Sequence, residues 1–227
     1  MNQGSVPSVA LAVFRSARAF YRRLRKRAVF EKIYRENQWG DSESRSGSGS
    51  GLAATEKVRK GLLDVIERLD VQTMIDAPCG DYYWLSQLNL AEHLTRYMGF
   101  DIVPQVIARN KQLWATGKIS FDALDLIKRV PPRADLILCR HLLIHLPFDD
   151  CIRVLRNFKS SGSRYLMITN QPQVEQNEEI IFTGSYRPLN LYRPPFTFPQ
   201  PISSIDDSQG PEDKAEAAVF ELSMINL

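Results

Sequence analysis

The sequence predicts one α/β domain, in which a mostly parallel sheet of about seven strands is covered by helices on both faces, behind a helical N-terminal extension. The chain has 227 residues, of which 44% are hydrophobic and 24% charged, the composition of an ordinary globular protein. From residue 71 onward, short apolar runs alternate with segments of helical spacing, as in βαβ units. The extension and a Gly/Ser-rich stretch occupy residues 1–54, and the α/β domain is expected to span residues 55–227.

The individual elements are placed by apolar pattern and by breaker residues. Strands are predicted at 71–77, 97–101, 119–123, 134–139 and 164–169. Helices are predicted at 57–69, 83–91, 104–116 and 148–158. The stretch 185–199 is too rich in proline for a helix, and 217–225 is expected to form a last strand at the sheet edge.

The N-terminal extension is predicted to be helical over residues 1–36, ending near Gly40. Seven basic side chains and no acidic one occur in its first 30 residues: Arg15, Arg18, Arg22, Arg23, Arg25, Lys26 and Arg27. They are expected either to contact phosphates or an anionic membrane, or to form the solvated face of an amphipathic helix. A mitochondrial presequence is a further alternative. The Gly/Ser-rich stretch 41–51 is either a flexible linker or a loop that orders over a ligand.

The rest of the composition argues against several classes of protein. Without the extension the chain is mildly acidic, so a broad nucleic-acid surface is not indicated. The cysteines Cys79, Cys139 and Cys151 follow neither a disulfide nor a zinc pattern, and no metal site is expected. No apolar run reaches the roughly 18 residues of a membrane span. The expected location is the cytoplasm, with membrane association through the basic residues left open.

Polar residues follow the predicted strands at the sheet edge where ligands bind in open parallel sheets. They are Asp76 after the first strand, Asp101 after the second, Asp125 after the third, and Arg140 with His141 after the fourth. Asp101 follows Gly80 by about 20 residues, the spacing at which a carboxylate accepts both hydroxyls of a ribose. Asp101 is therefore predicted to bind the ribose of a nucleoside cofactor.

Residues 55–170 resemble the class I S-adenosylmethionine-dependent methyltransferases, whose fold is a Rossmann-like three-layer sandwich. The segment 74–81 resembles their Gly-rich first loop, and the four acidic positions follow in family order. The resemblance implies S-adenosylmethionine as cofactor and S-adenosylhomocysteine as product. It implies these cofactor contacts: Asp76, Pro78, Gly80, Asp81, Asp101, Ile102, Asp125, Leu126 and Arg140. Pro78 and Tyr82 stand where a common form of the loop has glycine, and only Gly80 is kept.

Two flanking segments extend the resemblance to a bacterial branch with a Pro-Cys-Gly first loop, often associated with glycan modification. They are Trp39-Gly40 with Glu43-Ser44-Arg45-Ser46-Gly47, and Arg187-Pro188-Leu189-Asn190-Leu191. Forked donors and aromatic faces suit sugars and acidic glycans. The predicted acceptor-binding residues are Arg45, Tyr186, Arg187, Asn190 and Arg193.

Methyl transfer requires a base only where the nucleophile must lose a proton. The candidates are His141 and His145, which share one face if their turn is helical. His141 is the first choice, because it directly follows the fourth predicted strand. His145 is equally expected to be a structural histidine bonded to the backbone.

The predicted function is the transfer of a methyl group from S-adenosylmethionine to an oxygen of a small-molecule or glycan-type acceptor. One alternative is a non-catalytic S-adenosylmethionine-binding or interaction protein. A second is an NAD-dependent oxidoreductase, which is disfavoured because the first loop lacks G-x-G-x-x-G and Asp81 would face the diphosphate. The oligomeric state is not predicted.

Overall fold

The computed structural model describes residues 26–180, 182–210 and 213–227. The strands are β1 Thr73–Asp76, β2 Arg96–Asp101, β3 Ile119–Ala123, β4 Leu136–Cys139, β5 Tyr165–Asn170, β6 Ser203–Asp206 and β7 Glu216–Glu221. The helices are α1 (26–36), α2 Glu56–Arg68, α3 Leu90–His93, α4 Pro104–Trp114 and α5 Phe148–Ser160. The described residues therefore contain the predicted alternation of strands and helices.

All seven strands form one sheet, in the order β3-β2-β1-β4-β5-β7-β6. β1 to β5 are parallel, while β7 runs antiparallel to both β5 and β6. The order reverses on the two sides of β1, which lies between β2 and β4. This switch point opens a crevice at the carboxyl ends of β1, β2 and β4, where open α/β sheets bind ligands.

Each face of the sheet has its own apolar core, because successive strand residues point to opposite sides. Along β1, Met74 packs with α2 residues such as Leu62, whereas Ile75 packs with α5 residues such as Phe158. The result is the three-layer α/β sandwich expected from the sequence.

One predicted helix is replaced by turns. Residues 83–91 form a 3₁₀ turn at Leu85–Gln87 and the start of the one-turn helix α3. Tyr82 adopts a positive φ of 58°, and the Asp81 carboxylate accepts the Tyr83 N–H at 3.3 Å. This local bonding competes with helix formation, so the prediction of a helix over 83–91 was wrong.

The C-terminal strand was placed incorrectly by the sequence. β7 does not lie at the sheet edge, because it pairs with β5 on one side and with β6 on the other. The edge strand is β6, whose residues alternate between half-buried and exposed, with Ile205 as a contact to the apolar cluster on the α2 face. The proline-rich stretch 185–199 contains no helix, as predicted, and no strand either.

Helix α1 is docked on the body of the domain. Lys26 is buried and forms an ion pair with Asp150 of α5. Lys26 is therefore not available to phosphates or a membrane, which corrects the prediction for this residue. Arg27 pairs with Glu31 at 2.7 Å, and the predicted basic residues 15–25 lie outside the described part of the chain. No helix among the described residues has the length and hydropathy of a membrane span.

Candidate active site

The Gly/Ser-rich stretch is an ordered loop fixed by the carboxylate of Asp81. Ser44 Oγ donates to both Asp81 oxygens at 3.0 Å, and Arg45 N donates to Oδ2 at 3.0 Å. Ser46 Oγ donates to Asp81 Oδ1 at 3.2 Å and accepts the Asp81 N–H at 3.0 Å. The alternative of a flexible linker was therefore wrong, because this stretch is an ordered loop bound to the turn after β1. Asp81 is committed to this loop.

Gly80 allows the loop to approach the strand end closely. It has a φ of +49°, and a Cβ at this position would lie 2.3 Å from Ser46 Oγ. Its N–H donates to Asp101 Oδ2 at 3.2 Å. Gly80 therefore links the loop, the turn after β1 and the acid at the end of β2.

Replacing Gly80 with alanine is expected to push Ser46 away and release the loop. We expect the free energy of unfolding to fall by about 2 kcal/mol, because both an overpacked contact and a left-handed φ are introduced. Limited proteolysis should cut the loop faster. Gly162→Ala is the matched control, since Gly162 also has a positive φ, 70°, but has nothing within 4 Å. Equal losses in the two variants would show that the contact with Ser46 has no effect.

Asp101 is the acid at the end of β2 and is 7% exposed. Its Oδ2 accepts the Gly80 N–H at 3.2 Å, and its Oδ1 accepts the Val103 N–H at 2.9 Å. Each oxygen keeps a further lone pair. Burial raises the pKa of Asp101 to about 6, so the carboxylate is mostly ionised at neutral pH. This carboxylate is fixed in place and can accept two more hydrogen bonds.

Asp76, at the end of β1, is held differently. Tyr97 Oη donates to its Oδ2 at 2.8 Å, and burial raises the pKa of Asp76 to about 8. Asp76 is therefore mostly neutral at pH 7 when no cation is near. The negative charge at this end of the crevice is therefore that of Asp101, and Asp76 adds a carboxyl group that a bound cation would help to ionise.

Arg140, which follows β4, is buried and bonded to protein groups through all three of its nitrogens. Its Nε and Nη2 donate to the Asp207 carboxylate at 2.9 and 2.6 Å, and its Nη1 donates to Gly49 O at 2.7 Å. Its guanidinium also lies 5.5 Å from the ring centroid of Trp84. Arg140 lines the crevice as predicted, and it joins the Gly/Ser loop to the segment after β6.

The two candidate bases lie on an irregular turn. A 3₁₀ turn spans Leu143–His145, and His141 has a φ of +57°. His141 Nε2 is 3.7 Å from Asp207 Oδ2, and burial, followed by Arg140, lowers the pKa of His141 well below its usual value. His145 Nδ1 lies 3.0 Å from Ser185 O, and burial lowers its pKa as well. Both imidazoles are neutral at pH 7.

These groups surround one cavity of about 440 Å³. At its β1–β2 end it is lined by Asp76, Pro78, Gly80, Asp81, Asp101 and Ile102. Beyond β4 it is lined by His141, His145 and Tyr186, and Arg45 from the loop also borders it. The structure therefore brings together most of the residues selected from the sequence.

The predicted adenine contacts lie elsewhere. Among the described residues, neither Asp125 nor Leu126 is part of the cavity lining. Asp125 accepts the Ile127 N–H at 3.1 Å and pairs with Lys128 at 2.9 Å. Leu126 is buried in the core on the α5 face. Asp125 therefore caps a turn rather than lining the cavity, which corrects its assignment to the cofactor.

Three of the predicted acceptor residues are also outside the described lining. Arg187 is buried and donates to Leu143 O at 3.1 Å, and its guanidinium lies 4.7 Å from the Phe148 ring centroid. Asn190 donates to Pro172 O and Val174 O at 3.1 and 2.7 Å. Arg193 is exposed. Arg187 and Asn190 hold the irregular segment together, which corrects their assignment to acceptor binding.

Several cavity residues were not selected as site residues from the sequence. They are Phe30, Tyr34 and Trp39 from α1 and its C-terminal turn, Trp84, Gln171 after β5, and Gln209 and Asp213 after β6. The Trp39-Gly40 pair was noted as part of the resemblance, but the other residues carry no motif. Their position depends on how α1 and the C-terminal segment fold back over the sheet.

The fold is shared with solved methyltransferases. N-methyltransferase NodS from Bradyrhizobium japonicum WM9 aligns with 74% of this chain and 96% of its own, at 15% identity and a TM-score of 0.52. Human N-acetylserotonin methyltransferase, solved with S-adenosylmethionine, aligns with 74% of this chain and 52% of its own, at 14% identity and a TM-score of 0.52. No protein-family model and no curated protein matches the sequence. At such low sequence identity, these structural alignments establish the fold alone, which is the Rossmann-like methyltransferase fold.

Proposed function

We propose that this protein is an S-adenosylmethionine-dependent methyltransferase that methylates an oxygen of a small-molecule or glycan-type acceptor. The observation that carries the proposal is Asp101, an ionised, rigidly held carboxylate at the switch point with one lone pair on each oxygen left for a ribose hydroxyl. The structure of human N-acetylserotonin methyltransferase, which shares the fold, was solved in complex with S-adenosylmethionine.

The chemistry of the cavity suits this cofactor. Its ammonium and sulfonium groups are cationic, and the β1–β2 end of the cavity presents Asp76 and Asp101. Gly80, which has no Cβ, lets the loop pack closely against the turn after β1, and it lines this end of the cavity. Arg45, which is exposed and lies 5.6 Å from the Tyr34 ring centroid, is placed to hold a carboxylate of the cofactor or acceptor.

A nicotinamide dinucleotide fits the first loop poorly. A diphosphate is normally bound at the N-terminus of a helix that follows the first strand. Here β1 is followed by turns and a 3₁₀ segment, Leu85–Gln87, and the carboxylate of Asp81 occupies the loop. The structure therefore favours a cofactor without phosphate.

Bound S-adenosylmethionine would supply an electrophilic methyl group. The chain itself would orient the ribose through Asp101, exclude water with the 44–50 loop, and accept the acceptor's proton at His141 or His145. Both imidazoles are neutral at pH 7 because burial lowers their pKa values, so each is able to take up a proton.

Thermal unfolding with added cofactors tests the proposal. At 100 times the dissociation constant, a ligand stabilises the folded state by about 2.7 kcal/mol, which raises the Tm by about 5–10 °C for a chain of this size. We expect this increase with S-adenosylmethionine and S-adenosylhomocysteine and none with NAD⁺. Stabilisation by NAD⁺ alone would favour an oxidoreductase. Stabilisation by neither would leave the interaction-protein alternative.

Cofactor affinity should depend on pH through Asp101. Its pKa is about 6 in the free protein, so the carboxylate that accepts the ribose hydroxyls is lost as the pH falls through 6. We expect S-adenosylhomocysteine to bind about tenfold more weakly at pH 5 than at pH 7. Asp76 stays neutral over this range, because its pKa is about 8. Calorimetry at several pH values would measure the change, and a constant affinity would contradict the role of Asp101.

A further inference from the structure

The same cavity continues beyond β4, and this part is available to a second substrate, a statement that rests on the proposed methyltransferase function. We call it the acceptor compartment, lined by Phe30, Tyr34, Trp39, Ile144, His145 and Tyr186. Neighbouring strands are about 4.8 Å apart, so the end of β5 lies roughly 14 Å along the sheet from Asp101 on β2. That length accommodates a cofactor at one end and an acceptor at the other.

The walls of the acceptor compartment favour a ring compound. Four of its six side chains are aromatic and one is aliphatic, and His145 is neutral at pH 7. Aromatic walls bind flat rings through their faces. The compartment therefore favours an acceptor that contains a ring.

His145 is held with one ring nitrogen ready to accept a proton. A carbonyl oxygen can only accept, so the contact of 3.0 Å between Nδ1 and Ser185 O places the proton of the neutral ring on Nδ1. Nε2 then carries a lone pair, and it has no hydrogen-bond partner among the described residues. Trp39 stacks on the ring, with centroids 4.9 Å apart and planes inclined by 22°. The tautomer and the plane of the imidazole are both fixed.

His141 is less suited to act as the base. Its Nε2 edge is 3.7 Å from Asp207, which is already bound to Arg140. Its other edge faces the loop, since a Cβ on Gly49 would lie 2.9 Å from His141 Nδ1. Both ring nitrogens thus face protein groups.

Tyr186 supplies a donor near His145. Gln171 Nε2 donates to Tyr186 Oη at 3.2 Å, and Gln171 Oε1 accepts the Leu189 N–H at 2.7 Å. Because Gln171 acts as a donor toward Tyr186, the tyrosine O–H keeps its own hydrogen for another acceptor. The His145 and Tyr186 rings are 6.3 Å apart. The acceptor nitrogen of His145 and the donor hydroxyl of Tyr186 therefore belong to neighbouring side chains that line the same cavity.

We propose that the acceptor is a ring with a hydroxyl group and a second oxygen on the adjacent carbon, that His145 removes the hydroxyl proton, and that Trp39 positions His145. The hydroxyl proton passes to His145 Nε2, and an oxygen lone pair forms the bond to the methyl carbon. The methyl–sulfur bond breaks, and its electron pair neutralises the sulfonium to give the thioether product. The proton on His145 is then lost to water. An aromatic diol and a sugar diol share this chemistry.

Binding and turnover are measured separately to test the proposal. Catechol, methyl mannoside and phenol are titrated calorimetrically into protein saturated with S-adenosylhomocysteine, and turnover is followed with S-adenosylmethionine. We expect either catechol or methyl mannoside to bind at least tenfold more tightly than phenol. Tighter binding of catechol would indicate an aromatic acceptor, and tighter binding of the mannoside would indicate a sugar acceptor. Tyr186→Phe should remove this preference, since it deletes only the donor.

Variants of His145 and Trp39 test the base. His145→Asn keeps a donor for Ser185 O but has no basic nitrogen, and should lower kcat by about 10²–10³-fold with unchanged cofactor binding. His93→Asn is the control, because His93 is exposed on α3. Trp39→Ala should lower kcat more than it changes KM, and Trp39→Phe should restore it.

Three results would overturn this inference: no binding of either diol while S-adenosylhomocysteine binds, a Tyr186→Phe variant that retains the preference, or full activity in His145→Asn. Absence of S-adenosylhomocysteine binding would instead contradict the proposed function.

Discussion

Replacing Asp101 with alanine is expected to weaken S-adenosylhomocysteine binding about 100-fold or more in calorimetric titration. Two hydroxyls of a ribose would donate to an ionised carboxylate, and each charge-assisted bond contributes about 1.5–3 kcal/mol. The substitution also removes the acceptor for the Gly80 and Val103 N–H groups, so the turn after β1 is no longer tied to the end of β2. Both effects act against the cofactor.

Two variants separate these effects. Asp101→Asn keeps the shape and one acceptor oxygen, and should bind with intermediate affinity. Asp122→Ala is the matched control, because Asp122 lies on neighbouring β3 and forms an exposed pair with Lys111 at 2.6 Å. It should bind S-adenosylhomocysteine as the unmodified protein does. Binding by folded Asp101→Ala within twofold of the unmodified protein would exclude Asp101 as the ribose ligand.

Replacing Asp207 with alanine is expected to lower the free energy of unfolding by about 3–5 kcal/mol. Asp207 and Arg140 form a bidentate pair, and their side chains are 0% and 4% exposed. Removing one partner leaves the Arg140 guanidinium buried with Gly49 O as its remaining hydrogen-bond acceptor among the described residues. Breaking a buried pair in this way is costly, even where the pair itself adds little net stability.

The neighbouring residue provides the control. Asp206 pairs with Lys57 at 2.6 Å, but the two side chains are 52% and 64% exposed. Exposed pairs contribute about 0–1 kcal/mol, so Asp206→Ala should be close to neutral. Urea denaturation of both variants gives the comparison. Losses of the same small size in both would show that Arg140 finds other partners or solvent when Asp207 is absent.

The sequence predicted the sheet well where strands are buried. β4 and β5 are short, mostly apolar runs bounded by breaker residues. Parallel strands that are buried on both faces have this kind of sequence. Asp101 was found by its spacing from Gly80, a distance set by one βαβ step. These features depend on local pattern and on the regular geometry of the fold.

The remainder depends on contacts between distant segments. β6 alternates between half-buried and exposed residues, so its apolar signal in the sequence is weak. Asp207 follows β6 directly, and its pairing with Arg140, 67 residues earlier in the chain, could not be predicted from the sequence. The linker-like composition around Arg45 gave no sign that Asp81 would fix it. Similarly, the role of α1 in lining the cavity follows from its docking through Lys26 and Asp150.

A crystal structure of the protein with S-adenosylhomocysteine would test the central claim most directly. We expect both ribose hydroxyls within hydrogen-bond distance of the Asp101 carboxylate, and the amino-acid part at the β1–β2 end of the cavity beside Asp76. The acceptor compartment around His145 should remain open. A ligand bound elsewhere, with no contact to Asp101, would contradict the account of the site and of its cofactor.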